Sequence, residues 1–257
     1  MGPHNGFADQ LFDLTDQVVL VTGGSRGLGR EMALAAARCG ADVVIASRDL
    51  DSCVRTAEEI AAATGRDALP YAVHVGRWDQ LDGLVAAAYD RFGKVDTLIN
   101  NAGMSPTYES LTSVTEKLFD AVLNVNLKGP FRLSALVGER MVAAGRGSII
   151  NVSSVASIRP RPYVVPYAAA KAGLNAMTEA LALAYGPAVR VNTLMAGPFY
   201  TDIIKAWDPD ATAKMVAHHA LKRAGQPSEI AGAALFLASA ASSFATGSTL
   251  KVDGGIP

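Results

Sequence analysis

Short apolar runs, rich in β-branched residues, alternate along this chain with longer alanine-rich stretches of helical period. The runs are Val18–Val21, Val43–Ile45, Tyr71–Val73, Leu98–Ile99, Ser148–Val152, Val189–Val191 and Leu250–Val252. Strands that are apolar on both faces belong inside a sheet covered on both sides. Between them, helical patterns run near 27–39, 50–64, 79–92, 115–143, 166–185 and 227–239. The alternation predicts an α/β fold: one doubly wound domain over 13–257, with a seven-stranded parallel sheet and helices on both faces. No linker rich in Pro, Gly or Ser divides it. The longest break in the pattern, around 197–222, contains Pro198 and Pro209 and is expected to be a substrate lid.

Composition narrows the function classes. Hydrophobic residues make up 50% of the 257 and charged residues 18%, enough apolar material for a large core. The 23 basic and 24 acidic side chains leave a net charge of −1, so nothing electrostatic supports binding to nucleic acid or an anionic membrane. Ile230 to Ala241 is too short to span a bilayer. Residues 1–12 are expected to be a flexible, polar leader; with Asp9 inside it and Asp13 and Asp16 following, the start of the chain does not read as a signal peptide. Cys39 and Cys53 lack metal or redox spacing and fit a reducing, cytoplasmic location.

The first strand runs into Thr22-Gly23-Gly24-Ser25-Arg26-Gly27-Leu28-Gly29 and then a helix. Glycines permit close backbone approach, and a helix N-terminus offers unpaired N–H groups and a positive dipole end, which together suit a pyrophosphate. The second strand ends in Ser47-Arg48, where an acid would hold a ribose hydroxyl and an arginine a 2′-phosphate. Arg48, with Arg26 within reach of the same phosphate, therefore favours NADP(H) over NAD(H).

Tyr167 and Lys171 are four residues apart at the start of a helix, one turn from each other. An ammonium beside a phenol lowers its pKa, so the pair can exchange a proton near neutral pH. Ser153-Ser154 ends one strand and Asn100-Asn101-Ala102-Gly103 another, at the sheet edge where ligands bind. Asn124-Val125-Asn126 follows on the next helix.

These motifs in this order resemble the short-chain dehydrogenase/reductase family, from about residue 14 to the C-terminus. The matching pieces are T-G-x-x-x-G-x-G at Thr22–Gly29, N-N-A-G at Asn100–Gly103, Asn126, Ser154, Y-x-x-x-K at Tyr167–Lys171, and Val252-Asp253-Gly254-Gly255. The resemblance implies a Rossmann-type domain that binds a nicotinamide cofactor through the glycine turn, Ser47, Arg48, Val75, Asn101, Ala102, Gly103, Tyr167, Lys171, Gly197 and Thr201. It implies that Tyr167 exchanges the proton, Lys171 lowers its pKa and binds the nicotinamide ribose, Ser154 bonds the reacting oxygen, and Asn126 holds a water. Asn101 is read as a brace of the cleft. Two departures are visible: Ala196-Gly197-Pro198 where the family has Pro-Gly, and His74 where it often has Asp. His74 is read as a capping or packing residue.

The expected activity is reversible reduction of a ketone to a secondary alcohol, on a 3-oxoacyl thioester or on a sugar or polyol. A regulatory or structural protein that kept the fold is the alternative, and a methyltransferase is disfavoured because its chemistry does not call for a Tyr–Lys pair. Tyr163, Phe199, Tyr200 and Trp207 are candidates either for apolar walls of the substrate pocket or for core or subunit packing. Arg159 and Arg161 are read as a solvated loop. His218 and His219, about 100° apart on a helix, are read as surface residues, and no metal site is expected. Outward apolar positions on the helices at 115–143 and 166–185, with the family resemblance, imply a homotetramer or homodimer.

Overall fold

The computed structural model describes residues 6–201 and 216–256. Its frame is one sheet of β1 (Val18–Thr22), β2 (Asp42–Ser47), β3 (Ala68–Ala72), β4 (Thr97–Asn100), β5 (Gly147–Ser154), β6 (Val189–Ala196) and β7 (Thr249–Val252). The order is β3-β2-β1-β4-β5-β6-β7, with every neighbouring pair parallel. The winding reverses at β1, which has β2 on one side and β4 on the other. Such a reversal leaves a crevice beyond the carboxyl ends of those strands.

Successive strand residues point to opposite faces, and each face has its own apolar cluster. Val19, Val21, Val43 and Ile45 pack with Met32 of α2 (Gly27–Arg38), Ile60 of α3 (Leu50–Thr64) and Leu237 of the last helix, Ala231–Ala238. Val18, Leu20, Val44 and Ile149 pack with Leu84 of the helix Trp78–Phe92 and Leu133 of the helix Gly129–Ala143. Full burial of one such side chain is worth about 1.5–3 kcal/mol, so apolar strands of this kind need helices on both faces. The expected doubly wound sheet is the one observed.

Three local details differ from the sequence pattern. The third strand is Ala68–Ala72 rather than Tyr71–Val73. Pro70 hides it in the sequence, and it is tolerated because β3 is an edge strand. The pattern at 115–143 is two helices, Glu116–Leu123 and Gly129–Ala143, joined by a π turn at Asn124–Lys128. There Asn126 Nδ2 donates to the Val122 carbonyl at 2.9 Å, the acceptor that a regular helix would give to the main chain. Within the expected flexible leader, Phe7–Phe12 form a short helix, α1, with no buried side chain.

Of the expected lid, residues 202–215, with Trp207 and Pro209, lie outside the described residues. Among the described residues no helix is long and apolar enough to cross a membrane.

Candidate active site

The glycine turn closes directly on the end of β4. Gly23 has φ of 64°, and a Cβ there would stand 2.9 Å from Asn101 Nδ2. Gly29 is tighter: a Cβ would meet the Gly23 carbonyl oxygen at 2.2 Å and Asn101 Nδ2 at 2.5 Å. Asn101 Nδ2 donates to the carbonyls of Thr22 (2.9 Å) and Gly23 (3.2 Å). Thr22 Oγ1 accepts from the N–H groups of Asn101 (3.0 Å) and Ala102 (3.1 Å). Asn101 is thus a brace, and Thr22 spends its hydroxyl on the same joint. Leu28 packs its side chain against the core.

Ser25 Oγ donates to Ser47 Oγ at 2.9 Å, joining the turn to the end of β2. The two arginines expected to share one phosphate lie on separate hollows. Arg26 lines a cavity with Ser25, Gly27, Tyr200 and Thr201. Arg48 lines another, with Val73, His74 and Gln80. The divergence follows from position: Arg26 is the N-cap of α2, and Arg48 leaves the end of β2 beside β3. His74 is a capping residue, its Nδ1 accepting from Gly76 N at 3.1 Å and its N–H donating to Gln80 Oε1 at 3.0 Å. Val75 is buried in the second apolar cluster. Gly197 is pressed against the C-terminal segment, where a Cβ would stand 2.5 Å from Asp253 Cα. Thr201 stands against the glycine turn, its Cγ2 3.5 Å from where a Gly27 Cβ would be.

The catalytic candidates converge. The helix α7, Val165–Tyr185, opens with Pro166 where no N–H is required, and carries Tyr167 and Lys171 on one face. The Lys171 ammonium lies 5.8 Å from the centroid of the Tyr167 ring. Lys171 is buried, and its Nζ donates to the Val152 carbonyl at 2.7 Å. Ser154, the last residue of β5, lies near the Tyr167 phenol and draws its pKa down, while its Oγ accepts from Ala156 N at 3.2 Å. Asn126 Oδ1 accepts from Met104 N (3.2 Å), and its Nδ2 donates to Met104 O (2.8 Å). The asparagine therefore ties the strand-end loop to the π turn. A Gly103 Cβ would lie 3.0 Å from Asn126 Oδ1 and 3.8 Å from Lys171 Nζ, so the bare backbone keeps this corner open.

The electrostatics correct one expectation. Burial pushes the Tyr167 phenol above its ordinary range, and only Ser154 pulls it down. Burial also brings the Lys171 ammonium down to about 8. Lys171 is buried and Tyr167 is partly buried, and desolvation outweighs any stabilisation from the pairing.

A buried polar chain that the motifs do not reveal supports these residues. Asn100 Nδ2 donates to Asn151 Oδ1 (2.9 Å) and Ser134 Oγ (3.1 Å), and Asn151 Nδ2 donates to Thr178 Oγ1 (2.9 Å). It crosses from β4 through β5 to α7. The available signal is an asparagine in the middle of an apolar strand, where that residue is depleted.

Of the side readings, Phe199 falls to the core-packing alternative and the surface reading of His219 is corrected. Phe199 is 5% exposed and packs in the core beside Gly225, so it walls no pocket. His219 is buried at 6% exposure, in a turn whose main chain bonds the C-terminal Gly254 and Gly255; His218 is exposed. Tyr163, Arg159 and Arg161 are exposed.

The cradle fits a dinucleotide: glycines keep the backbone bare at Gly23, Gly29 and Gly103, and a helix N-terminus follows the turn. Comparison with known proteins agrees. Residues 23–257 match the family model described as Enoyl-(Acyl carrier protein) reductase. The chain is 36% identical over 247 residues to the 3-oxoacyl-(acyl-carrier-protein) reductase FabG of Thermotoga maritima, covering 95% of this chain and 98% of that protein. It is 38% identical over 251 residues to the L-rhamnose 1-dehydrogenase (NAD(P)(+)) of Azotobacter vinelandii, covering 95% and 97%. The crystal structure of a gluconate 5-dehydrogenase from Burkholderia cenocepacia in complex with NADP and tartrate superposes with a TM-score of 0.90 at 33% identity, covering 96% of this chain and 97% of that one.

Proposed function

This chain belongs to the short-chain dehydrogenase/reductase family, and we propose that it reduces a ketone to a secondary alcohol with NADPH, using Tyr167 as the proton donor. It is an oxidoreductase of alcohol and carbonyl groups that uses a nicotinamide cofactor. The observation that carries the mechanism is the convergence of Ser154, Tyr167 and Lys171 at the carboxyl end of β5.

A bound reduced nicotinamide supplies the hydride to the carbonyl carbon. The protein supplies the proton and holds the oxygen. A phenol raised by burial stays protonated at neutral pH, which is the form that donates to the forming alkoxide. Ser154, near the phenol, is proposed to bond the same substrate oxygen. As the phenol gives up its proton, the Lys171 ammonium nearby offsets the charge left on its oxygen. In the oxidative direction the ionised phenol accepts the alcohol proton, so that rate climbs with pH while reduction declines.

NADP(H) is favoured by Arg48 at the end of β2 and by the absence of an acid at Ser47. A gluconate 5-dehydrogenase of the same fold binds NADP, which supports the same choice. The specificity segments are 155–165 and 197–222, with the latter as the lid. The exposed Ile158 and Tyr163 give the first an apolar rim. Exposed Phe119, Phe131, Val142 and Leu183 on the outer helices support a homotetramer or homodimer, and the reduced thiols Cys39 and Cys53 support a cytoplasmic site.

A cofactor-consumption screen with NADPH and NADH against ketones, sugars and acyl thioesters tests the reading. Turnover of a carbonyl with NADPH preferred is expected. Tight NADPH binding with no turnover across the panel would replace it with a regulatory role.

A further inference from the structure

The phenol of Tyr108 holds the first turn of the helix that carries Tyr167. Its hydroxyl donates to the Pro162 carbonyl at 2.7 Å and accepts from the Val165 N–H at 2.8 Å. Val165 is the first residue of α7, and the N-cap residue Val164 provides no side-chain cap. Helix starts leave N–H groups unpaired unless something caps them. Here the cap comes from another loop, the 102–110 segment that begins at the cofactor-side Asn101–Gly103 corner. That loop is also fastened at its other end, where Met104 meets Asn126.

We propose that Tyr108 is a positioning residue for Tyr167, and that it also couples the 102–110 loop to the proton donor. Lys171 is anchored independently, one turn deeper, on Val152. Tyr167 lies in the first turn, two residues beyond Val165, and its place beside Lys171 depends on that turn. Tyr108 has both hydrogen-bonding functions of its hydroxyl engaged at the helix start, so it acts through Tyr167 and not on the substrate. The loop and the 155–165 segment become one joined wall.

The proposal rests on the functional reading above, so its test has one arm independent of turnover. Tyr108→Phe keeps the ring and deletes the hydroxyl. Hydrogen exchange of the cofactor-free protein should speed up in peptides spanning 162–172 and stay unchanged at the sheet. With NADPH and a ketone that the wild-type chain reduces, kcat should fall about ten- to hundred-fold, the size expected of a small misplacement at the reacting centre. NADPH affinity and binding stoichiometry should hold, and the solvent deuterium isotope effect on kcat should rise as proton transfer limits the rate. Unchanged exchange, or kcat within about two-fold of wild type, overturns the proposal. So does a fall in kcat matched by lost binding stoichiometry with an unchanged isotope effect, which marks a smaller folded fraction. A wild-type chain with no carbonyl turnover would overturn the functional reading itself, and the exchange arm would still report whether the cap exists.

Discussion

Lys171 Nζ donates to the main-chain carbonyl of Val152 at 2.7 Å, fixing the second turn of α7 to the strand that ends at Ser154. The bond holds an ammonium at a buried position where burial alone brings it down to about 8. Holding the charged amine there is a cost to the fold.

That cost has a measurable pH signature. The folded value of about 8 lies below the ordinary 10.5. Between those values the unfolded chain holds a proton that the folded chain has released, so stability rises with pH across the window. Below about 8 the full cost of burying the charge is present; above 10.5 it is gone. Urea unfolding of wild type and Lys171→Met at a series of pH values should show the wild type gaining about 3 kcal/mol relative to the variant from one end of the window to the other. A difference that stays flat would mean that the lysine is solvated.

Gly29→Ala should damage both fold and cofactor binding. The new methyl would sit 2.2 Å from the Gly23 oxygen and 2.5 Å from Asn101 Nδ2, both parts of a braced joint. Overpacking of this kind costs about 1–3 kcal/mol, or roughly 2–12 °C in Tm for a domain of this size. NADPH affinity should fall as well, because relief of the clash moves the turn. Calorimetry and fluorescence titration check it; unchanged Tm and Kd would show that the turn yields freely.

Arg48→Asp should reverse the cofactor preference. A charge-assisted bond is worth about 1.5–3 kcal/mol, so Kd for NADPH should rise about ten- to hundred-fold while that for NADH holds or improves. Arg26→Ala should have a smaller effect, since Arg26 lines a different cavity from Arg48. Equal losses for both cofactors would show that Arg48 does not read the phosphate.

The sheet was legible because its strands are apolar on both faces, which a parallel sheet requires. The proximity of the candidate residues was legible because the Tyr–Lys spacing is local and Ser154 falls at a strand end. What the sequence hides is contact between distant segments. Nothing at Tyr108 marks it as the cap of a helix that starts fifty-seven residues later. Pro70 masks β3, and Asn126 gives no sign that its amide takes the Val122 carbonyl and opens a π turn. Desolvation is hidden too: Tyr167 and Lys171 read as a mutually stabilised pair, while desolvation moves the phenol up and the ammonium down.

The most direct test of the account is Tyr167→Phe, measured by single-turnover reduction of a responsive ketone alongside NADPH titration. The ring remains and only the proton is removed. Turnover should fall about 10²–10⁴-fold, with the NADPH Kd within about two-fold of wild type. A variant that kept a tenth or more of the wild-type rate, roughly, while binding NADPH normally would show that the proton comes from another group.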